Sequence, residues 1–291
     1  MKTILLCSDL DRTLIPNGAE PESRQARPLF YQLAAYPNLR LAYVTGRDKN
    51  LVKQAIGDYG LPEPEFVIGD VGTTLYHVRG NRWQLNDAWQ REIGRDWHGQ
   101  GHDDITALMA DMAGADLQLQ PPEKQNRYKI SYYTDPAVDS QGLRDRISGR
   151  LGDHGIPANL IWSRDDGRHQ GLLDILPRRA NKVRAIRFLM AAEKIEADLT
   201  VFAGDSGNDL DALTSGLQAV LVKNAAADVR QSAIDHVSKD GRQELLYLAK
   251  GDFYGLNGNY AAGVLEGLVH FFPETLDLLK SAMSMPAGVK P

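Results

Sequence analysis

Short apolar segments that end in polar residues alternate with amphipathic segments along the first part of this chain. The apolar runs cover residues 3–7, 39–44 and 66–68, a pattern typical of buried parallel strands. Between them, residues 27–35 and 51–59 show the apolar spacing of helices. Strand and helix in this order predict an α/β fold, in which right-handed crossovers join the strands of a parallel sheet.

This rhythm is interrupted and later returns. Residues 78–176 mix strand-like and helical patterns, which predicts an inserted α+β domain. The α/β pattern then resumes with a helix and two strands, at residues 182–194, 199–203 and 218–222. We therefore expect a core domain of residues 1–77 and 177–291 around the insertion. An apolar face within residues 257–272 predicts one more helix, whose role the sequence does not indicate.

Composition and charge limit the classes of protein to which the chain can belong. Of its 291 residues, 43% are hydrophobic and 24% are charged, as in a globular protein with a full core. No apolar run approaches the roughly 20 residues that cross a bilayer, so a membrane partner is not expected. The net charge of −5 disfavours nucleic acid. The single cysteine, Cys7, permits no internal disulfide and favours a cytoplasmic location. A monomer and a homodimer are equally compatible with the sequence.

Two carboxylates follow the first predicted strand. Asp9 and Asp11 are two residues apart, and they can flank one ligand if the backbone turns after the strand. Their oxygens suit Mg²⁺, and a carboxylate beside a cation can attack phosphorus. The second carboxylate could then serve as general acid and base. The alternative is that both residues only cap the following turn.

Two other groups would suit a phosphate. Thr45 and Gly46 follow a predicted strand and open a helix, where free N–H groups can bind an anion. A plain N-cap threonine is the alternative. Lys182 lies in the first turn of a predicted helix, where its charge opposes the helix dipole, which indicates an anion nearby unless the side chain is solvated.

The segment 204–209 is the densest polar group. It places Asp205, Asn208 and Asp209, with a serine and two glycines, between a predicted strand and a helix. Glycines let the backbone approach an ion or a phosphate closely. A turn with an aspartate N-cap accounts for one of the two carboxylates and leaves the other unexplained.

The order of these groups resembles that of the haloacid dehalogenase superfamily. The matching motifs are Asp9-x-Asp11-x-Thr13, Thr45, Lys182 and Gly204-Asp205-x-x-Asn208-Asp209. The insertion between the second and third motifs is similar to the cap of one subgroup, and residues 8–16 and 68–73 resemble sucrose-phosphate phosphatases. The resemblance implies a Rossmann-like parallel-sheet core with an inserted α+β cap that determines substrate specificity.

The resemblance also implies a role for each motif residue. Asp9 would be the nucleophile that becomes an aspartyl-phosphate, and Asp11 the general acid and base. Mg²⁺ would be held by Asp9, the backbone carbonyl of Asp11 and Asp205, with Asp209 supporting the metal shell. The phosphate would be bound by the other motif residues, Thr45, Gly46, Lys182 and Asn208. The implied reaction is the hydrolysis of a sugar phosphate, with sucrose 6-phosphate as the expected substrate.

The residues that contact the sugar are less clearly marked. The candidates are Arg47, Lys129, His169 and Arg178, and each can also be a solvated or strand residue. Mannosylfructose phosphate, glucosylglycerol phosphate and hexose phosphates stay open as substrates. A sugar phosphomutase would use the same motifs, and a non-catalytic phosphate sensor would not need the complete set.

Overall fold

The computed structural model describes residues 2–112, 117–165 and 167–284. The strands are β1 Ile4–Ser8, β2 Leu39–Val44, β3 Phe66–Gly69, β4 Thr74–Arg79, β5 Arg82–Leu85, β6 Gln118–Leu119, β7 Ile130–Thr134, β8 Ala158–Asp165, β9 Gln170–Pro177, β10 Thr200–Gly204, β11 Gln218–Leu221 and β12 Leu246–Leu248. The α-helices are α1 Ala26–Ala34, α2 Lys49–Tyr59, α3 Asp87–Gly94, α4 His102–Leu108, α5 Ser140–Asp153, α6 Lys182–Glu193, α7 Leu210–Leu213, α8 Ala227–Lys239, α9 Ala261–Phe271 and α10 Thr275–Met283. Within the described ranges, no helix combines the length and the apolar character that crossing a membrane requires.

An eight-stranded sheet forms the frame of the core. Its order is β12-β11-β10-β1-β2-β3-β4-β5, parallel from β12 to β3 and antiparallel from β3 to β5. The side chains of β1 alternate between two buried clusters. Leu5 and Cys7 pack on the side of α6, and Ile4 and Leu6 pack on the side of α1 and α9. The predicted α/β class is thus confirmed, since helices cover both faces of a largely parallel sheet.

A second sheet belongs to the inserted region. It has the order β6-β7-β9-β8 and is antiparallel throughout. The larger sheet, however, continues through the β4–β5 hairpin to Leu85, so residues 78–85 belong to it and not to the insertion. The hairpin is held on this sheet by β3, with which β4 pairs along Phe66 to Gly69. We therefore propose a first domain boundary after Leu85, instead of after residue 77, and a second at Pro177.

Helix α9 closes the face of the sheet that carries Ile4 and Leu6. The predicted apolar face at its start and middle is confirmed, since Tyr260, Val264 and Leu268 are fully buried. The helix lies very close to β11, and glycine makes this approach possible. A Cβ at Gly267 would overlap the side chain of Val220.

We expect Gly267→Ala to lower the free energy of unfolding by about 1–3 kcal/mol, because the added methyl group forces α9 away from β11. Gly57→Ala is the matched control, since a Cβ at Gly57 in α2 meets nothing within 4 Å. That variant should be more stable than the wild type by roughly 0.5–1 kcal/mol through helix propensity alone. Urea unfolding of the three proteins measures both effects. Equal stability of the two variants would contradict the close packing of α9.

Candidate active site

Three neighbouring strands bring their carboxyl ends to one place. β10, β1 and β2 are adjacent in the sheet, and Asp205, Asp9 and Thr45 follow them directly. After Asp9 the backbone turns, since the N–H groups of Thr13 and Leu14 donate to the carbonyl of Leu10, and Arg12 within this turn has a φ of 58° in the left-handed region. Asp9 and Asp11 both line the same cleft, as expected for a segment that turns after the strand.

Three buried carboxylates cluster at this cleft, of which Asp9 and Asp205 line it. Oxygen atoms of Asp9, Asp205 and Asp209 lie within 4.8 Å of one another. Asp209 is oriented by its own loop, since its Oδ2 accepts hydrogen bonds from the backbone N–H groups of Asp205 and Ser206, both at 3.2 Å. Like charges at such distances repel strongly. The cluster therefore needs a cation to remain ionised.

Lys182 supplies part of that positive charge. It is the first residue of α6 and is buried, and its Nζ donates to Oδ1 of Asp9 at 2.8 Å and to Oδ1 of Asp209 at 2.7 Å. Burial alone would lower the pKa of Lys182, but the attraction of Asp209 and Asp9 raises it above its ordinary value. The anion that its helix position indicated is thus the carboxylate pair itself.

One lysine does not neutralise the cluster. Burial raises the pKa of Asp9 to about 8 although Lys182 opposes this, and burial raises the pKa of Asp205 to about 6. A divalent cation between the carboxylates would favour their ionised form. Their oxygens are the hard donors that Mg²⁺ prefers, so the residues present fit this ion.

Asp11 lies beside this cluster with different partners. Arg47 donates to it through two nitrogens, Nε to Oδ2 at 2.8 Å and Nη2 to Oδ1 at 2.6 Å. Asn17 donates through Nδ2 to the same Oδ1 at 2.7 Å. Burial favours a higher value, but these hydrogen bonds hold the pKa of Asp11 below its ordinary range. Asp11 is thus an oriented carboxylate, and Arg47 is its main partner.

The remaining motif residues line the same cleft, whose volume is about 600 Å³. Thr45 is buried, and its Oγ1 accepts a hydrogen bond from the N–H of Arg47 at 3.2 Å. Gly46 and Asn208 are exposed to the cleft. An incoming phosphate would thus meet a hydroxyl, an amide and the Lys182 ammonium opposite the nucleophile candidate Asp9.

Comparison with known proteins agrees with this geometry. The family model for sucrose-6F-phosphate phosphohydrolases matches residues 2–272. This chain belongs to that family. It is accordingly a phosphatase of the haloacid dehalogenase superfamily, as the order of its motifs indicated.

Individual relatives are similar over most of the chain. A protein of Nitrosococcus oceani named as a HAD-like hydrolase is 55% identical over 94% of this chain and 72% of its own length. The mannosylfructose-phosphate phosphatase of Agrobacterium fabrum is 28% identical over 92% of this chain and 96% of its own. The chain also matches tobacco sucrose-phosphatase 1, at 29% identity, over 78% of this chain and about half (52%) of that protein's length. Among solved structures, the sucrose-phosphatase of Synechocystis in complex with sucrose and phosphate has a TM-score of 0.68 and 28% identity, covering 94% of this chain and 99% of its own.

In this member of the sucrose-6F-phosphate phosphohydrolase family, three predicted substrate residues lie outside the cleft. Lys129 is buried, and its Nζ lies 3.6 Å from Oδ1 of Asp70, so its charge is already paired within the protein. His169 is exposed in the turn between β8 and β9, beyond the last pair of strand residues that line the cleft. Arg178 is exposed directly after β9. Of the four predicted contacts to substrate, only Arg47 lines the cleft.

The cap contributes residues that sequence reasoning missed. The cleft is roofed by alternate residues of two paired strands, Asn159, Ile161 and Ser163 of β8 and Leu172 and Asp174 of β9. Their period of two was visible in the sequence, and it is the signal that could have found them. Which of the two faces of the strands is turned toward the core depends on how the cap sits on the sheet, which a strand pattern does not indicate.

Proposed function

We propose that the protein is a Mg²⁺-dependent phosphatase of glycosyl phosphates, with sucrose 6-phosphate as the first substrate to test. The observation that carries this proposal is the position of Lys182, which donates to both Asp9 and Asp209 beside Asp205. Residues of the cap line the same cleft. The family and the relatives named for disaccharide phosphates support the substrate class. The oligomeric state is left open, and the cytoplasmic location stays a prediction.

The proposed reaction has two displacement steps. A carboxylate oxygen of Asp9 attacks phosphorus, the bond between phosphorus and the sugar oxygen breaks, and Asp11 gives its proton to that oxygen. Asp11 then takes a proton from the water that attacks phosphorus, the bond between phosphorus and the Asp9 oxygen breaks, and phosphate leaves. Lys182 and Thr45 would hold the phosphoryl oxygens. When bound by Asp9, Asp205 and the Asp11 carbonyl, with Asp209 in support, Mg²⁺ would supply charge neutralisation for the transferred group.

Arg47 would link substrate arrival to the state of Asp11. In the structure its guanidinium donates to both carboxylate oxygens of Asp11 and favours the ionised form, so Asp11 can take up a proton and then donate it only after the pair loosens. A phosphate in the cleft is a competing anion for Arg47, since guanidinium binds phosphate in the same forked geometry. Asp11 would thereby be released next to the leaving oxygen when the cleft is filled.

The roof of the cleft would choose the alcohol. Asn159, Ser163 and Asp174 offer donors and acceptors for sugar hydroxyls, and Ile161 and Leu172 offer apolar contact. A cleft of about 600 Å³ is large enough for a disaccharide phosphate. Mannosylfructose phosphate, glucosylglycerol phosphate and hexose phosphates are the competing substrates.

A phosphate-release screen over these sugar phosphates tests the proposal. We expect disaccharide phosphates to give the highest kcat/KM, EDTA to abolish turnover and added Mg²⁺ to restore it. A higher kcat/KM for hexose phosphates would contradict the substrate class. Transfer of the phosphoryl group between positions of one sugar, with no free phosphate released, would instead identify a phosphomutase.

Replacing Asp174 should affect the sugar and not the chemistry. We expect Asp174→Ala to lower kcat/KM for the best disaccharide phosphate by about 10- to 100-fold, because a charged hydrogen-bond acceptor is lost. Turnover of p-nitrophenyl phosphate, which offers no sugar hydroxyls, should change by less than about twofold. Asp165→Ala, at the far end of β8, is the control. An equal loss on both substrates would show that Asp174 acts on the core and does not select the sugar.

A further inference from the structure

One asparagine joins the beginning of helix α9 to the loop that follows β1. Asn224 follows β11 and is buried. Its Nδ2 donates to the backbone carbonyl of Arg12 at 2.7 Å, and its Oδ1 accepts from the backbone N–H of Tyr260 at 2.8 Å. Arg12 returns a hydrogen bond from Nη2 to the backbone carbonyl of Asn224 at 3.3 Å. Both ends of the Asn224 amide are therefore used to join segments that are distant in the chain.

Arg12 in turn holds one carboxylate of the acidic cluster. Its Nε lies 3.2 Å from Oδ2 of Asp205, and the hydroxyl of Thr13 donates to Oδ1 of the same residue at 3.2 Å. Both oxygens of Asp205 thus have a partner that fixes their direction. The Arg12 side chain is 43% exposed while that of Asp205 is 4% exposed, so surrounding packing does not hold the guanidinium in place. Besides Asp205, the guanidinium is held by the backbone carbonyl of Asn224 and by the Arg12 backbone that carries it.

That backbone is in a conformation that needs support. Arg12 has a φ of 58°, which a residue with a Cβ rarely adopts. Its N–H donates to Oδ1 of Asn17 at 2.8 Å, and its carbonyl accepts from Asn224. Such a conformation persists where neighbouring groups hold it on both sides.

Tyr260 provides the fixed point for this arrangement. Its side chain is fully buried, and its hydroxyl donates to the backbone carbonyl of Glu20 at 3.0 Å. Its own φ of 52° turns its N–H toward Asn224 at the start of α9. The C-terminal helix thereby reaches the acidic cluster through two residues, Asn224 and Arg12.

We propose that Asn224 is a positioning residue for the cation site. It uses the buried start of α9 to keep Arg12 in its left-handed turn, and the Arg12 guanidinium then orients Asp205 toward the ion. This inference rests on the Mg²⁺ dependence proposed above. It also gives a role to the segment 257–272, for which the sequence indicated none.

Mg²⁺ binding measured by isothermal titration calorimetry, without substrate, tests the inference. We expect Asn224→Ala to weaken Mg²⁺ binding by about tenfold or more, the usual effect of losing a partner of a metal ligand. Arg12→Ala should weaken it to a similar degree. In the Arg12→Ala background, adding Asn224→Ala should change the Kd by less than about twofold, because Asn224 acts through Arg12.

Asn86→Ala is the matched control. Asn86 is also a bridging asparagine, which accepts from the N–H of Trp89 and contacts His77, but it lies away from the cluster. This control should lose stability and keep the wild-type Kd. If Asn224→Ala does not fold, Asn224→Asp keeps the acceptor for Tyr260 and removes the donor to Arg12.

The outcomes separate this inference from the proposed function. An unchanged Kd in a folded Asn224 variant would overturn the inference, and so would an equal loss in the Asn86 control or a further large loss in the double variant. If the wild type itself binds no Mg²⁺, the metal dependence on which the inference rests falls, and both are overturned together.

Discussion

Asp9→Asn should reduce turnover of every phosphate ester by at least about 10⁴-fold, since an amide cannot form the aspartyl-phosphate and loss of a nucleophile is among the largest single effects known in enzymes. The loss should appear in kcat for disaccharide phosphates and for p-nitrophenyl phosphate alike. Steady-state phosphate release measures it. A single-turnover experiment with ³²P-labelled substrate should also show no acid-stable label on the protein.

The same variant should keep its fold. Asn has nearly the shape of Asp, and Lys182 retains its second partner, Asp209, at 2.7 Å. Because burial raises the pKa of Asp9 to about 8, far above its value in the unfolded chain, this carboxyl destabilises the folded state at neutral pH in the absence of a cation. Asp9→Asn should therefore melt no lower than the wild type in EDTA. Asp58→Asn, on the exposed face of α2, controls for the substitution itself and should keep full activity. Wild-type turnover of Asp9→Asn would refute the assignment of the nucleophile.

The meeting of three motif residues at one edge of the sheet could be predicted from the sequence, because each of them follows a strand of a parallel sheet. Asp9, Thr45 and Asp205 each follow a short buried strand, and parallel strands end on the same side of a sheet. The strands that carry them are direct neighbours, so their side chains meet at the same edge of the sheet. The left-handed backbone of Arg12 in the turn that follows Asp11 was not indicated by the residue type.

The predictions that differ from the structure concern the direction of a side chain or the sheet to which a segment belongs. Lys129 was predicted to contact substrate, but the carboxylate of Asp70 lies 3.6 Å from its ammonium and pairs its charge inside the protein. Residues 78–85, the second part of the β4–β5 hairpin, were assigned to the insertion, because an antiparallel hairpin has the same alternating pattern at the edge of either sheet. Local patterns identify such elements, whereas their partners are set by packing between distant parts of the chain.

Lys182→Met should have the second large effect, on activity and on stability together. The substitution removes the ammonium that lies 2.8 Å from Asp9 and 2.7 Å from Asp209, and it keeps most of the side-chain volume. We expect kcat/KM to fall by about 10³-fold or more, because the charge that stabilises the transferred phosphoryl group is gone. The free energy of unfolding in EDTA should fall by about 3–5 kcal/mol, the usual result of leaving buried charges without a partner.

The pH dependence of this deficit identifies its cause. Burial already raises the pKa of Asp9 to about 8 with Lys182 present, and removing the lysine raises it further. A carboxyl whose pKa is higher in the folded state destabilises the fold above its ordinary pKa, and this penalty grows with pH until it levels off above the folded-state pKa. The higher folded-state pKa in the variant therefore adds to the penalty only above about pH 8, where that of the wild type has levelled off. The deficit of Lys182→Met against the wild type should thus be larger at pH 9 than at pH 6, and Mg²⁺ should reduce it at pH 9 by replacing the missing positive charge. Lys239→Met, at the exposed end of α8, should show none of these effects. A deficit that is equal at both pH values would mean that lost packing, and not the uncompensated carboxylates, is responsible.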